Sequence, residues 1–130
     1  MREQPETAQV LKLRYLGPRR GVGFEFYPVR NGERAAGIRP VFLHEIDAEF
    51  VIALIRGRYP LTDPETGEKA EAFDPCWDNA IAKPIWQDIC EELKRMVPED
   101  PEEQAFVRTF TEWLQTALEA GDYVTVAGNL

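Results

Sequence analysis

The chain has 130 residues, 44% of them hydrophobic and 29% charged, with a formal net charge of −8. That length suits one hydrophobic core, and that composition excludes global disorder. The chain contains no serine and a single histidine, His44, which excludes serine nucleophiles and two-histidine metal sites, and no cofactor motif is present.

Residues 1–7 read as a flexible arm and residues 8–130 as a single α+β domain. From Gln9 to Leu16 apolar and polar positions alternate, with Leu11, Leu13 and Tyr15 on one side and Lys12 and Arg14 on the other, which predicts a strand. Gly17 to Gly21 reads as a turn, and Val22, Phe24 and Phe26 resume the period of two up to Val29, so a hairpin is expected. Asn31-Gly32 is a strong reversal signal because both residues tolerate positive φ, and it predicts a third strand over about Glu33 to Ile38.

From His44 to Gly57 the period changes to that of a helix, with Ile46, Phe50, Val51, Leu54 and Ile55 on one stripe. Arg58 to Lys83 is rich in proline, glycine and acids and reads as a long loop with a turn at Asp63 to Gly67. Pro84 opens a second helix with Ile85, Trp86, Ile89, Leu93 and Val97 as its apolar stripe, and Pro98 stops it. Asp100-Pro-Glu-Glu103 combines an N-cap, a proline at N1 and a carboxylate at N3, which predicts a third helix running to about Ala120. Gly121 is expected to supply a left-handed stop. A last strand follows over Tyr123 to Val126. The expected architecture is a small antiparallel sheet, made of an N-terminal hairpin or meander plus a C-terminal strand, packed against about three helices.

Charge is uneven along the chain. Residues 1–60 carry 10 Lys and Arg against 7 Asp and Glu, whereas residues 61–130 carry 5 against 16. A phosphate backbone is repelled by such a second half, so nucleic acid is not the expected ligand. A basic protein is instead attracted to it. No apolar run reaches bilayer length and no apolar leader opens the chain, so no membrane association is expected. Cys76 and Cys90 lack any paired spacing, which points to neither a disulfide framework nor a zinc knuckle, and a reducing cytoplasm is the expected compartment.

Two functional readings from different classes follow, and neither assigns a catalytic or metal-ligating residue. In the first, the loop from Phe73 to Asn79 grips a basic protein partner: Phe73 and Trp77 supply desolvated contact, and Asp74, Asp78, Glu91, Glu92, Glu102 and Glu103 supply steering and ion pairs. The bland alternative has Phe73 and Trp77 plugging the edge of the core. In size and charge the chain resembles the small immunity and antitoxin-type proteins of bacteria, a resemblance that implies neutralisation of a basic toxin by covering its active site. In the second reading, Arg19, Arg20, His44 and Cys76 supply the polar groups of a cleft between sheet and helices that binds a small molecule or supports a minor enzymatic activity. The flanking Asp74 and Asp78 oppose ionisation of the Cys76 thiol. Around His44, Glu45 and Asp47, helix-start chemistry competes with a metal site.

Overall fold

A computed structural model of the chain describes residues 8–17 and 21–130. The expected arm over residues 1–7, together with Arg19 and Arg20, lies outside the described residues. The elements in chain order are β1 (Gln9–Leu11), β2 (Gly23–Arg30), β3 (Glu33–Arg34), β4 (Val41–His44), α1 (Glu45–Arg56), β5 (Leu61–Thr62), β6 (Lys69–Ala70), β7 (Asp78–Ala82), α2 (Lys83–Arg95), α3 (Pro101–Ala120) and β8 (Tyr123–Gly128). The main sheet has the order β1-β4-β2-β8-β7, with β3 also paired to β2, while β5 and β6 form a separate hairpin. This is an α+β fold. No helix among the described residues is long and apolar enough to cross a membrane.

The period of two in β2 decides which face of the sheet is covered. Phe26 stands in one row with Val41, Val126 and Asn79 across four strands. Its ring meets Trp86 of α2 edge-on at 6.4 Å and Phe110 of α3 at 5.0 Å. Phe50 of α1 closes the cluster against Phe106 and Phe110. Trp86 is fully buried and its indole N–H donates to the Val124 carbonyl at 3.0 Å, so the one polar atom of this large side chain is satisfied inside the core.

Helix boundaries follow the sequence closely and helix faces less so. The Asp100 carboxylate accepts the Glu103 N–H at 3.3 Å, as a residue at the N-cap should. Gly121 ends α3 in extended backbone, with φ −115°, and not in the left-handed form expected. Space is what requires glycine there, because a Cβ would meet the Pro28 side chain at 2.9 Å and the Val29 carbonyl at 3.0 Å. α2 stops at Arg95, two residues before Val97 could join its stripe, and Val97 is left 82% exposed. The buried stripe of α1 is Asp47, Ala48, Val51, Ile52 and Ile55, rotated from the expected one so that Ile46 faces outward.

Asp47 explains both that rotation and the absence of the expected N-terminal hairpin. Its buried carboxylate accepts the backbone N–H groups of Leu13 at 2.9 Å, Arg14 at 2.7 Å and Tyr15 at 3.4 Å. The chain is therefore drawn off the sheet after Leu11, and β1 pairs in parallel with β4 instead of turning back onto β2. β4 was not anticipated, and the third strand is shorter than expected. Asn31 and Gly32 do turn at positive φ, 54° and 79°, but Gly37 turns again at φ 83°, so β3 holds only two residues before the chain recovers at Val41. The segment read as a long loop contains β5, β6 and β7.

Candidate functional site

The side of the sheet away from the helices carries the intervening residues of the same strands. Asp78, Ala127 and Glu25 form one row, Ala80, Thr125 and Tyr27 the next, and Ala82, Tyr123, Val29 and Arg34 the third. Beside these rows stands the β5–β6 hairpin. Its turn is held by the Asp63 carboxylate, which accepts the N–H groups of Glu65 at 2.7 Å and Thr66 at 3.3 Å, and by Gly67 at φ 78°. Sheet and hairpin enclose a concavity of about 450 Å³ whose walls include Tyr27, Arg34, Asp63, Glu65, Trp77 and Asp78.

The polar groups of this concavity are ordered by one another. The Arg34 guanidinium lies over the Tyr27 ring, 3.8 Å from its centroid, and binds both oxygens of Glu25 at 3.0 and 3.4 Å. On the opposite wall the Tyr123 hydroxyl donates to Glu65 Oε2 at 3.0 Å. Burial raises the pKa of Tyr27, and the Asp78 carboxylate raises it further. Tyr123 is pushed up to about 12, by burial first and then by the bond to Glu65 and the charges of Glu65 and Asp63. Both phenols thus sense negative potential from the carboxylates around them.

Trp77 reaches the concavity because the loop before β7 is locked from beneath. Asn79 is buried, accepts the Asp74 N–H at 2.8 Å, and donates its amide to the carbonyls of Asp74, Trp77 and Val126. The Asp74 carboxylate accepts the Cys76 N–H at 2.9 Å and tightens the same turn. With its backbone fixed in this way, Trp77 projects outward and keeps 71% of its surface exposed. No family model, curated protein or solved structure matches the chain.

Of the residues singled out in the sequence, Trp77 and Asp78 come together in the concavity. Phe73 does not join them. It is 5% exposed, 5.8 Å from the Phe24 ring and 6.2 Å from the Tyr59 ring, with the Arg56 guanidinium over it, so it contributes to the core and offers no exposed anchor. Three of the four helical acids singled out are met by cations. Glu92 pairs with Arg58, Glu103 with Arg14 at 3.2 Å and Glu91 with Lys94 at 3.5 Å, while Glu102 is exposed on α3. Two of those cations come from the basic N-terminal half of the chain, which leaves less uncompensated charge on α2 and α3 than the sequence suggested.

His44 is fully buried, stacked on Tyr15 at 3.6 Å and edge-on to Phe42 at 5.1 Å, and the exposed Cys76 thiol donates to the Leu130 carbonyl at 2.8 Å. Asp47 serves the backbone of residues 13–15, as described above. Sequence reasoning passed over Tyr27, Arg34, Glu65 and Tyr123. The period of two in β2 already placed Glu25 and Tyr27 off the apolar face, and the Asp63 to Gly67 turn had been located. What the sequence lacked was the pairing of β8 between β2 and β7, which brings these parts together.

Proposed function

We propose that the protein is a binding module that docks a basic protein partner on the open face of its sheet. The observation that carries this reading is the exposure of Trp77 at a concavity walled by Asp63, Glu65 and Asp78. A large aromatic side chain left in water beside carboxylates joins the two components of a tight contact: apolar area that is desolvated on binding, and charge that steers and orients a cationic surface. Asp78 supports it further, since this carboxylate has no ion pair among the described residues. The immunity or antitoxin-type role expected from size and charge is the form of this proposal in which the covered surface is the partner's active site. The proposed setting is the cytoplasm, where the free thiols of Cys76 and Cys90 stay reduced.

The test is affinity capture from a lysate of the source cells on immobilised wild-type protein and on Trp77→Ala, Asp78→Lys and Glu102→Lys variants. The expected outcome is retention of a basic protein by the wild type and by Glu102→Lys, released as salt rises, and its loss from the other two variants. Retention undiminished in Asp78→Lys ends the reading.

A further inference from the structure

The same concavity contains one worked example of cation recognition. Arg34 holds its guanidinium over the Tyr27 ring and donates to Glu25, so a π face and a carboxylate together hold a planar cation there. Across the concavity, Trp77 and Asp78 repeat that pair of groups with no cation between them: an exposed indole, and next to it a carboxylate without an ion pair among the described residues. Glu65 adds a second carboxylate on the hairpin side, held in place by the Tyr123 hydroxyl.

Resting on the docking role proposed above, we infer that this half of the concavity is a subsite for one arginine side chain of the partner, its guanidinium stacked on Trp77 and paired with Asp78. Arginine fits better than lysine because a planar, weakly hydrated guanidinium stacks on an indole while presenting its N–H edge to a carboxylate, whereas an ammonium is a compact, strongly hydrated charge. The concavity has room for the side chain: about 450 Å³ lies at the lower end of the range for sites that enclose whole small ligands. Arg34 does not compete for Asp78, since its guanidinium donates to both carboxylate oxygens of Glu25.

The probe is the capped tripeptide acetyl-Gly-Arg-Gly-amide, titrated into the full-length protein and followed by the indole N–H signals in a ¹⁵N spectrum. The three tryptophans are distinguishable in principle by environment: the Trp86 N–H is bonded to Val124 and the Trp113 N–H to Arg39, leaving Trp77 as the exposed one. The expected result is a saturable shift confined to the Trp77 signal. Affinity falls about two- to five-fold in Asp78→Asn, or when citrulline replaces arginine in the peptide, and is unchanged in Glu119→Gln, an exposed acid on α3. Equal affinity for the citrulline peptide, or an equal loss in Glu119→Gln, overturns the inference. An arginine-specific shift of Trp77 with no basic protein captured keeps the subsite and ends the docking role. Capture lost in Trp77→Ala with no preference for arginine over citrulline ends the subsite and keeps the docking role.

Discussion

On its helix side the sheet presents Phe24, Phe26, Val41, Ile81, Val124 and Val126, each exposed by 2% or less. On its other side stand Glu25, Tyr27, Ala80, Tyr123 and Thr125, of which only Tyr123 and Thr125 are buried, under a short hairpin and one another. The first face is closed by α1, α2 and α3 and its members have only packing to provide. The second is closed in part, and around a space that a ligand can enter Arg34 is held by Glu25 and Tyr123 by Glu65 while Asp78 has no ion pair among the described residues. Strands with a period of two allow this division, since neighbouring residues in the chain belong to different environments. Changes on the helix side should register as stability and changes on the open side as recognition.

Trp86→Ala gives the largest expected effect, a loss of about 3–5 kcal/mol in denaturant unfolding, because it empties a fully buried site and orphans the Val124 carbonyl. Trp86→Phe should recover most of that loss. A cost near zero for Trp86→Ala would erase the distinction between the two faces. Asp47→Ala comes next, at about 1–3 kcal/mol, since three backbone N–H groups lose their acceptor. Faster amide exchange at residues 13–15 would mark it as local.

Alkali probes the boundary between the faces. Tyr59 and Tyr123 are both raised from 10.0 to about 12, chiefly by burial, so the folded state holds their protons more tightly than the unfolded chain does. Their contribution is complete below pH 10 and is lost as the pH climbs towards about 12, so stability should fall across that window. Tyr59→Phe and Tyr123→Phe should each flatten the fall, as urea midpoints measured along the pH series would show. Trp77→Ala should have the smallest effect on unfolding, within about 0.5 kcal/mol, while abolishing partner capture. A larger destabilisation would transfer Trp77 to the structural side of the comparison.

The parts of the fold legible in the sequence are those whose causes are local. Asp100, Pro101 and Glu103 fix the start of α3, and Phe106, Val107, Phe110, Leu114, Ala117 and Leu118 are buried along it at helical spacing, while Trp113 is only partly buried. Asn31-Gly32 fixes a reversal. The parts that escaped depend on distant residues. Val41 to His44 is a short apolar run that periodicity alone cannot assign to strand or helix start, and its pairing to β1 follows from the hold of Asp47 on residues 13–15. β7 was hidden among acids and small residues, with only Asn79 and Ile81 facing inward. The candidate site was half visible for the same reason: Trp77 and Asp78 stand out in the sequence, whereas Tyr27 and Arg34 are brought to them from the N-terminal part of the chain by the pairing of β8 between β2 and β7.

β8 occupies the seam between β2 and β7, two strands separated by some fifty positions that are joined only through it among the described residues. Without residues 123–128, β2 has an open inner edge and β7 has no hydrogen-bonded strand partner among the described residues. Long-range pairing of this kind is slow and leaves sticky intermediates. Closure of the main sheet therefore depends on its last strand, and a chain cut before Tyr123 is expected to leave β2 and β7 unjoined.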